Sequence, residues 1–392
     1  MAKRIFIILI AVLILLPLFM YLAWVLKPER KLNILILDKT VLTTKVQEHM
    51  SLSWVLNNEK YVHSDSGAYN PTQHYKGFFP DDKGGYHIND FNQYDSTELL
   101  ALANAHDMIY YTDLYGIYTN EWTATYYPER VNDPRFISQR STLMYGGLTQ
   151  KELDLLRIFK QQNKLIINEF NVIANPTPNP IRQAYEAEFG LKWSGWMGRY
   201  FDSLDTLKNT DIPRWLIDNY LTQHHGEWPF SNSGIAFVRE DDQIEILENK
   251  THLDVEVPYI HTSQTIAKKY DISSKIEYPF WFDIVSVIHP ENQVLSEYRI
   301  ETNTRGDSLL KEWEIPSVFP ALISHKNELF YYLAGDFCDN PISLNSSKFR
   351  GIQWFSFVTS TVDKADRMSF FWKYYRPLTT TILNNYHLKH FR

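Results

Sequence analysis

Four acidic residues stand just past apolar runs that read as buried strands. They are Asp38 after "LNILIL", Asp113 after "DMIYYT", Glu169 after "KLIIN" and Asp336 after "FYYLAG". In an open α/β sheet the ligand crevice lies beyond the carboxyl ends of the strands, so such placement would gather the four carboxyls. Two carboxyls about 5–10 Å apart can serve as general acid and base in glycoside hydrolysis. Glu169, with Asp113 or Asp38, is the expected catalytic set. The same positions also suit acids that cap the next helix or pair with Lys39, Arg182 or Arg199.

Two aromatic-rich stretches, "DLYGIYTNEW" and "WSGWMGRYF", come next. Tyr115, Trp122 and Trp196 could stack on sugar rings, with Glu121 and Arg199 orienting them by hydrogen bonds. Asn171 and Asp336 complete the expected ligand-binding set. Packing of two loops over the sheet end would use the same rings, and a chain with 11 Trp, 25 Tyr and 23 Phe has many to pack. His224 and His225 are adjacent, and His252, His261, His289 and His325 are scattered, so spacing supports no metal site. Gly146 and Gly147 lack the lysine and hydroxyl of a phosphate loop. No metal and no cofactor are expected.

The elements that would carry these residues alternate. "LNILILDKT" is a strand, "VQEHMSLSWVLNNE" has helical spacing, and Tyr61–Tyr94 reads as loop or insertion. "STELLALANA" is a helix and "DMIYYTDLYGIY" a strand. Thr149 with Glu152 makes a capping box before a helix that leads into "KLIINEF". Strand, helix, strand and helix in this order predict an open, mostly parallel, Rossmann-like α/β sheet. From about residue 202 to 319 short alternating runs predict a β-rich insertion. His325, Lys326 and Asn327 form a hairpin turn, and a C-terminal helix is interrupted at Pro377.

A net charge of −7 and pI near 6.0, with no Lys/Arg block, exclude a nucleic-acid surface. The single cysteine, Cys338, rules out an internal disulfide. Residues 5–26, "IFIILIAVLILLPLFMYLAWVL", are uncharged and match the roughly 20 residues that cross a bilayer. They predict an uncleaved membrane anchor at residues 1–31, in an inner membrane. Lys3 and Arg4 on one side and Lys27, Arg30 and Lys31 on the other nearly balance, and the larger domain, 32–392, is expected outside the cytoplasm.

The "NILILDKT" strand, the "YGGLTQKELDLLRIFKQQNKLIINE" turn, helix and strand, and the late "NELFYYLAGDF" strand together resemble the class I glutamine amidotransferase-like fold in its broad sense. Similar layouts occur in trehalose-utilisation-like proteins and in the middle domain of some bacterial β-galactosidases. The resemblance covers about residues 32–200 and 320–390. It implies a flavodoxin- or amidotransferase-like sheet with a nucleophile elbow after "KLIIN". That elbow holds a cysteine in amidotransferases, whereas here it falls at Glu169, Phe170 and Asn171. Cys338 follows a different strand, so glutaminase chemistry is not expected. The expectation is an envelope or polysaccharide-system protein whose partner is a glycan or an envelope protein. The competing expectation is a carbohydrate-acting hydrolase using the strand-end carboxylates.

Overall fold

The computed structural model describes residues 15–45, 47–65, 67–130, 141–358 and 366–391. Its centre is a ten-stranded mixed sheet. The strand order is Lys275–Glu277, Tyr259–Thr262, Asn292–Arg299, Val318–His325, Phe330–Leu333, Leu165–Asn168, Met108–Tyr111, Ile34–Asp38, Lys76–Pro80, Tyr86–Asn89. The five strands from Phe330–Leu333 to Lys76–Pro80 are parallel. Four of them, Ile34–Asp38, Met108–Tyr111, Leu165–Asn168 and Phe330–Leu333, are buried at every residue, as unbroken apolar runs covered on both faces must be.

The sheet is mixed rather than mostly parallel, because its flanks are built from hairpins. Residues 326–329 connect Val318–His325 to Phe330–Leu333, too short a link for a crossover, so the pair is antiparallel as the His325 turn predicts. The segment expected as an insertion supplies strands to this same sheet. It also contributes to a second, four-stranded antiparallel sheet ordered Ile244–Glu248, Gly234–Arg239, Leu191–Phe201, Phe282–Val287. The stretch expected as a loop between Tyr61 and Tyr94 holds four strands, two of which, Lys76–Pro80 and Tyr86–Asn89, extend the ten-stranded sheet.

Thr149 and Glu152 form the expected capping box at the start of helix Gln150–Gln161. The C-terminal helix is not broken at Pro377. Its turns run Arg367–Phe370, then a π segment Phe371–Tyr375, then Arg376–His390. The wider π turn lies where the proline lacks an N–H and would crowd the preceding carbonyl.

Of the expected membrane segment, residues 1–14 lie outside the described residues, and 15–25 are helical. Among the described residues no helix is long and apolar enough to cross a membrane. The end of this helix rests on the domain. Trp24 Nε1 donates to Asn57 O at 2.9 Å, Lys27 pairs with Glu59 at 2.8 Å, and Arg350 N donates to Met20 O at 3.1 Å.

Candidate functional site

The buried parallel strands end level with one another. Tyr111 lies opposite Leu37 on one side and Asn168 on the other, and Asn168 lies opposite Tyr332. Acids one to four residues beyond these positions therefore meet at one edge of the sheet.

Asp38 closes its strand fully buried, and its Oδ2 lies 2.7 Å from His49 Nδ1. His49 Nε2 lies 2.9 Å from Pro71 O. His49 stands at the N-terminus of helix Met50–Glu59, whose positive end faces the acids. Next to Asp38, Lys39 points the other way into a buried pair with Glu152 at 2.7 Å and donates to Gly147 O at 2.7 Å.

Asp113 Oδ1 accepts from Tyr115 N at 2.7 Å and from Asn171 Nδ2 at 3.1 Å. Asn171 adopts φ +61°, a left-handed turn that Asn tolerates, and its N–H reaches Asp283 Oδ2 at 3.2 Å. Glu169 accepts a short hydrogen bond from Tyr110 OH and one from Cys338 N at 3.3 Å. Arg367 bridges Asp336 at 2.8 Å and Asp339 at 3.0 Å. Glu48, partly exposed on the loop before the helix, brings a carboxylate oxygen within 4.8 Å of one from each of these two aspartates.

Six carboxyls thus share this edge, with Arg367 as the cation bonded to two of them. Their mutual effects are large. Burial, then the charges of Asp339, Asp336, Asp38 and Asp113, push Glu48 well above the usual carboxylate range. Burial and Asp336 do the same to Asp113. Burial raises Glu169 likewise, against the pull of the Tyr110 hydrogen bond. Asp339 is raised by burial to about 6, although Arg367 opposes the shift. Behind them, burial raises Asp283 to about 7, with Tyr332 OH donating to it at 2.6 Å.

Of the residues expected from sequence, Asp38, Asp113, Glu169, Asp336 and Asn171 come together here. Arg199 lies close enough to feel Arg367 and Asp336, its guanidinium against Phe201 and Trp281. Tyr115 packs against Tyr118 with its ring tilted, beside Glu121, which burial raises to about 7. The two tryptophans are elsewhere in role. Trp122 is 6% exposed among Phe78, Tyr86 and Tyr126, and Trp196 is 3% exposed beneath Arg239, so neither offers a free face to a sugar. Ring packing covers Trp122, and the Arg239 guanidinium lies over Trp196. Glu48, His49, Asp339 and Arg367 were not legible as site residues. The pair "EH" just ahead of a helix was the available signal for the first two.

Three carboxylates within 4.8 Å could bridge a cation, but Arg367 already serves two of them. A second group, His289, Glu291 and His325, is poorly suited to a metal. Nδ1 of His289 accepts from Glu291 N at 3.2 Å and Nδ1 of His325 from Asn327 N at 3.3 Å, which leaves the proton on each Nε2. A cavity of about 80 Å³, lined by Lys164, Phe189, His289 and Phe330, opens at the opposite ends of the strands, away from the acids.

No family model and no curated protein matches the chain. Among solved structures it is similar to a protein of Bacteroides uniformis ATCC 8492 described as ThuA-like. The identity is 11% and the TM-score 0.33, over 88% of this chain and 97% of that one.

Proposed function

We propose that the strand-end carboxyls form an acid–base site that hydrolyses a hydroxyl-rich, carbohydrate substrate. The observation that supports this reading is Glu48. The residue is partly exposed, while its carboxyl is raised well above its usual range, chiefly by burial, and brings an oxygen within 4.8 Å of one from each of two aspartates. A carboxyl whose pKa is raised holds its proton more readily and can donate it to a leaving oxygen, while a neighbouring carboxylate attacks or activates water. A separation this short is nearer the roughly 5–5.5 Å of retaining enzymes than the wider gap of inverting ones. The spacing favours the retaining route, with Asp339 or Asp336 as nucleophile and Glu48 as acid. Asp38, fixed by His49, adds to the field that holds the proton on Glu48.

Binding without turnover is the second reading. It draws on the fact that Asp113, Glu169 and Asp336 already spend their oxygens on protein donors. A panel of chromogenic aryl glycosides, run with wild type and Glu48→Gln, separates the two. Hydrolysis that falls about 100-fold or more in the variant supports the acid role. Glycan binding by calorimetry without turnover favours the second reading, and neither activity nor binding overturns both.

The apolar run at residues 5–26 leads to the further proposal of a tether in an inner membrane, with the domain outside the cytoplasm and a glycan or envelope protein as its partner. The exposed apolar side chains Leu18, Phe19, Leu22 and Val25 support it. Membrane fractionation with external protease digestion is the check. A chain recovered free of membranes sinks the tether.

A further inference from the structure

We propose that a second segment, Ile352–Val358, lies in the lipid headgroup region beside the N-terminal helix, so that the domain rests on the bilayer instead of hanging from it. This rests on the tether proposed above.

Three observations support it. First, the N-terminal helix does not leave the domain freely. Met20 accepts a hydrogen bond from Arg350, Tyr21 packs against Phe349 at 6.2 Å, and Trp24 and Lys27 bond to the end of helix Met50–Glu59. The apolar run ahead of that contact, Ile5 to Phe19, has 15 residues, against the roughly 20 that cross a bilayer. A tether this short draws whatever is bound at Met20 down to the lipid surface.

Second, what is bound at Met20 carries the right side chains. Trp354 is 77% exposed and Phe357 73%, on a 3₁₀ segment that begins two residues after Arg350. The Trp354 ring lies over Gly351, within a turn of the Met20 contact. Large aromatics exposed singly are ordinary, but two beside an apolar helix match the belt that Trp and aromatic rings form at a bilayer interface.

Third, the rim is basic. Lys348 and Arg350 are exposed, and Lys27, paired with Glu59, lies close to Arg350, an arrangement that suits anionic headgroups.

Helix Met50–Glu59 starts beside Glu48 and His49 and ends at the Trp24 and Lys27 contacts, so about 15 Å of helix separates the acids from the point where the tether is held. The membrane segment also lies between Asp339 and Arg367, which pair with each other in the site.

The test uses the full chain in phosphatidylcholine vesicles, with and without phosphatidylglycerol. Cys338 is fully buried, so a thiol-reactive fluorophore goes to an introduced cysteine. Phe357→Cys and Val12→Cys are labelled separately. The expected result is a blue-shifted Phe357→Cys probe with several-fold less iodide quenching than in detergent-free urea, and stronger protection when phosphatidylglycerol is present. If the Val12→Cys probe is protected and the Phe357→Cys probe is not, the tether stands and this inference falls. If both are open to iodide, the tether itself falls. If Trp354→Cys chains form disulfide-linked dimers in the vesicles while the probe is shielded, a second copy covers the face and the inference is overturned.

Discussion

Asp38 and His49 touch at 2.7 Å with neither side chain exposed to solvent. Pro71 O, 2.9 Å from the other ring nitrogen, can only accept, so Nε2 keeps its hydrogen and a further proton lies between Nδ1 and Oδ2. The pair holds the loop that carries Glu48 against the end of the first parallel strand. His49→Ala leaves a buried carboxyl without its partner and is expected to cost about 3–5 kcal/mol. Urea denaturation measures it, and a loss under about 1 kcal/mol would show that the pair contributes little.

Lys39 and Glu152 make another fully buried pair, at 2.7 Å. Lys39→Met alone strands a carboxylate and should destabilise by about 3–5 kcal/mol, whereas Lys39→Met with Glu152→Leu should recover most of that loss. A double-mutant cycle by chemical denaturation checks it; additive losses would mean that the two residues do not act as a pair.

Asp283 sets a pH dependence. Its folded-state value, about 7 through burial, lies above that of the unfolded chain, so the native state binds the extra proton. The stabilisation is complete below about pH 4 and is lost as pH rises toward 7, amounting to roughly 4 kcal/mol for this group alone. Asp283→Asn keeps an oxygen for Asn171 N and Tyr332 OH but cannot ionise. Its melting temperature should exceed that of wild type at pH 8, and the difference should vanish near pH 4. Equal melting at pH 8 would remove Asp283 from the account.

Arg367 is the cation on which Asp336 and Asp339 rely. Arg367→Met should push Asp339 above its value of about 6, because burial then acts without the opposing charge. Carboxyl carbon titration by NMR reads the change. An unmoved Asp339 would mean that solvent, not Arg367, sets its charge.

Much of the parallel core was legible from residue patterns. Apolar runs ending in Asp38, Asp113, Glu169 and Asp336 mark strands buried on both faces, and the Thr149–Glu152 spacing marks a helix start. Both signals are local, since burial and capping show in the types of neighbouring residues. The convergence of the acids follows from topology once the strands are parallel and adjacent.

Local pattern could not say which side chains spend their polar atoms on one another. Trp122 and Trp196 have the composition of a binding loop, yet side chains distant in sequence cover them, the rings of Phe78 and Tyr86 on Trp122 and the guanidinium of Arg239 on Trp196. Glu48 and His49 look like ordinary polar residues ahead of a helix until a strand end eleven residues earlier in the chain supplies Asp38. Arg367 lies about 30 residues beyond the acids it bridges. Charge coupling and desolvation depend on distances across the fold, which no spacing along the chain encodes, so tertiary structure alone decided which carboxyls are pushed above their usual range.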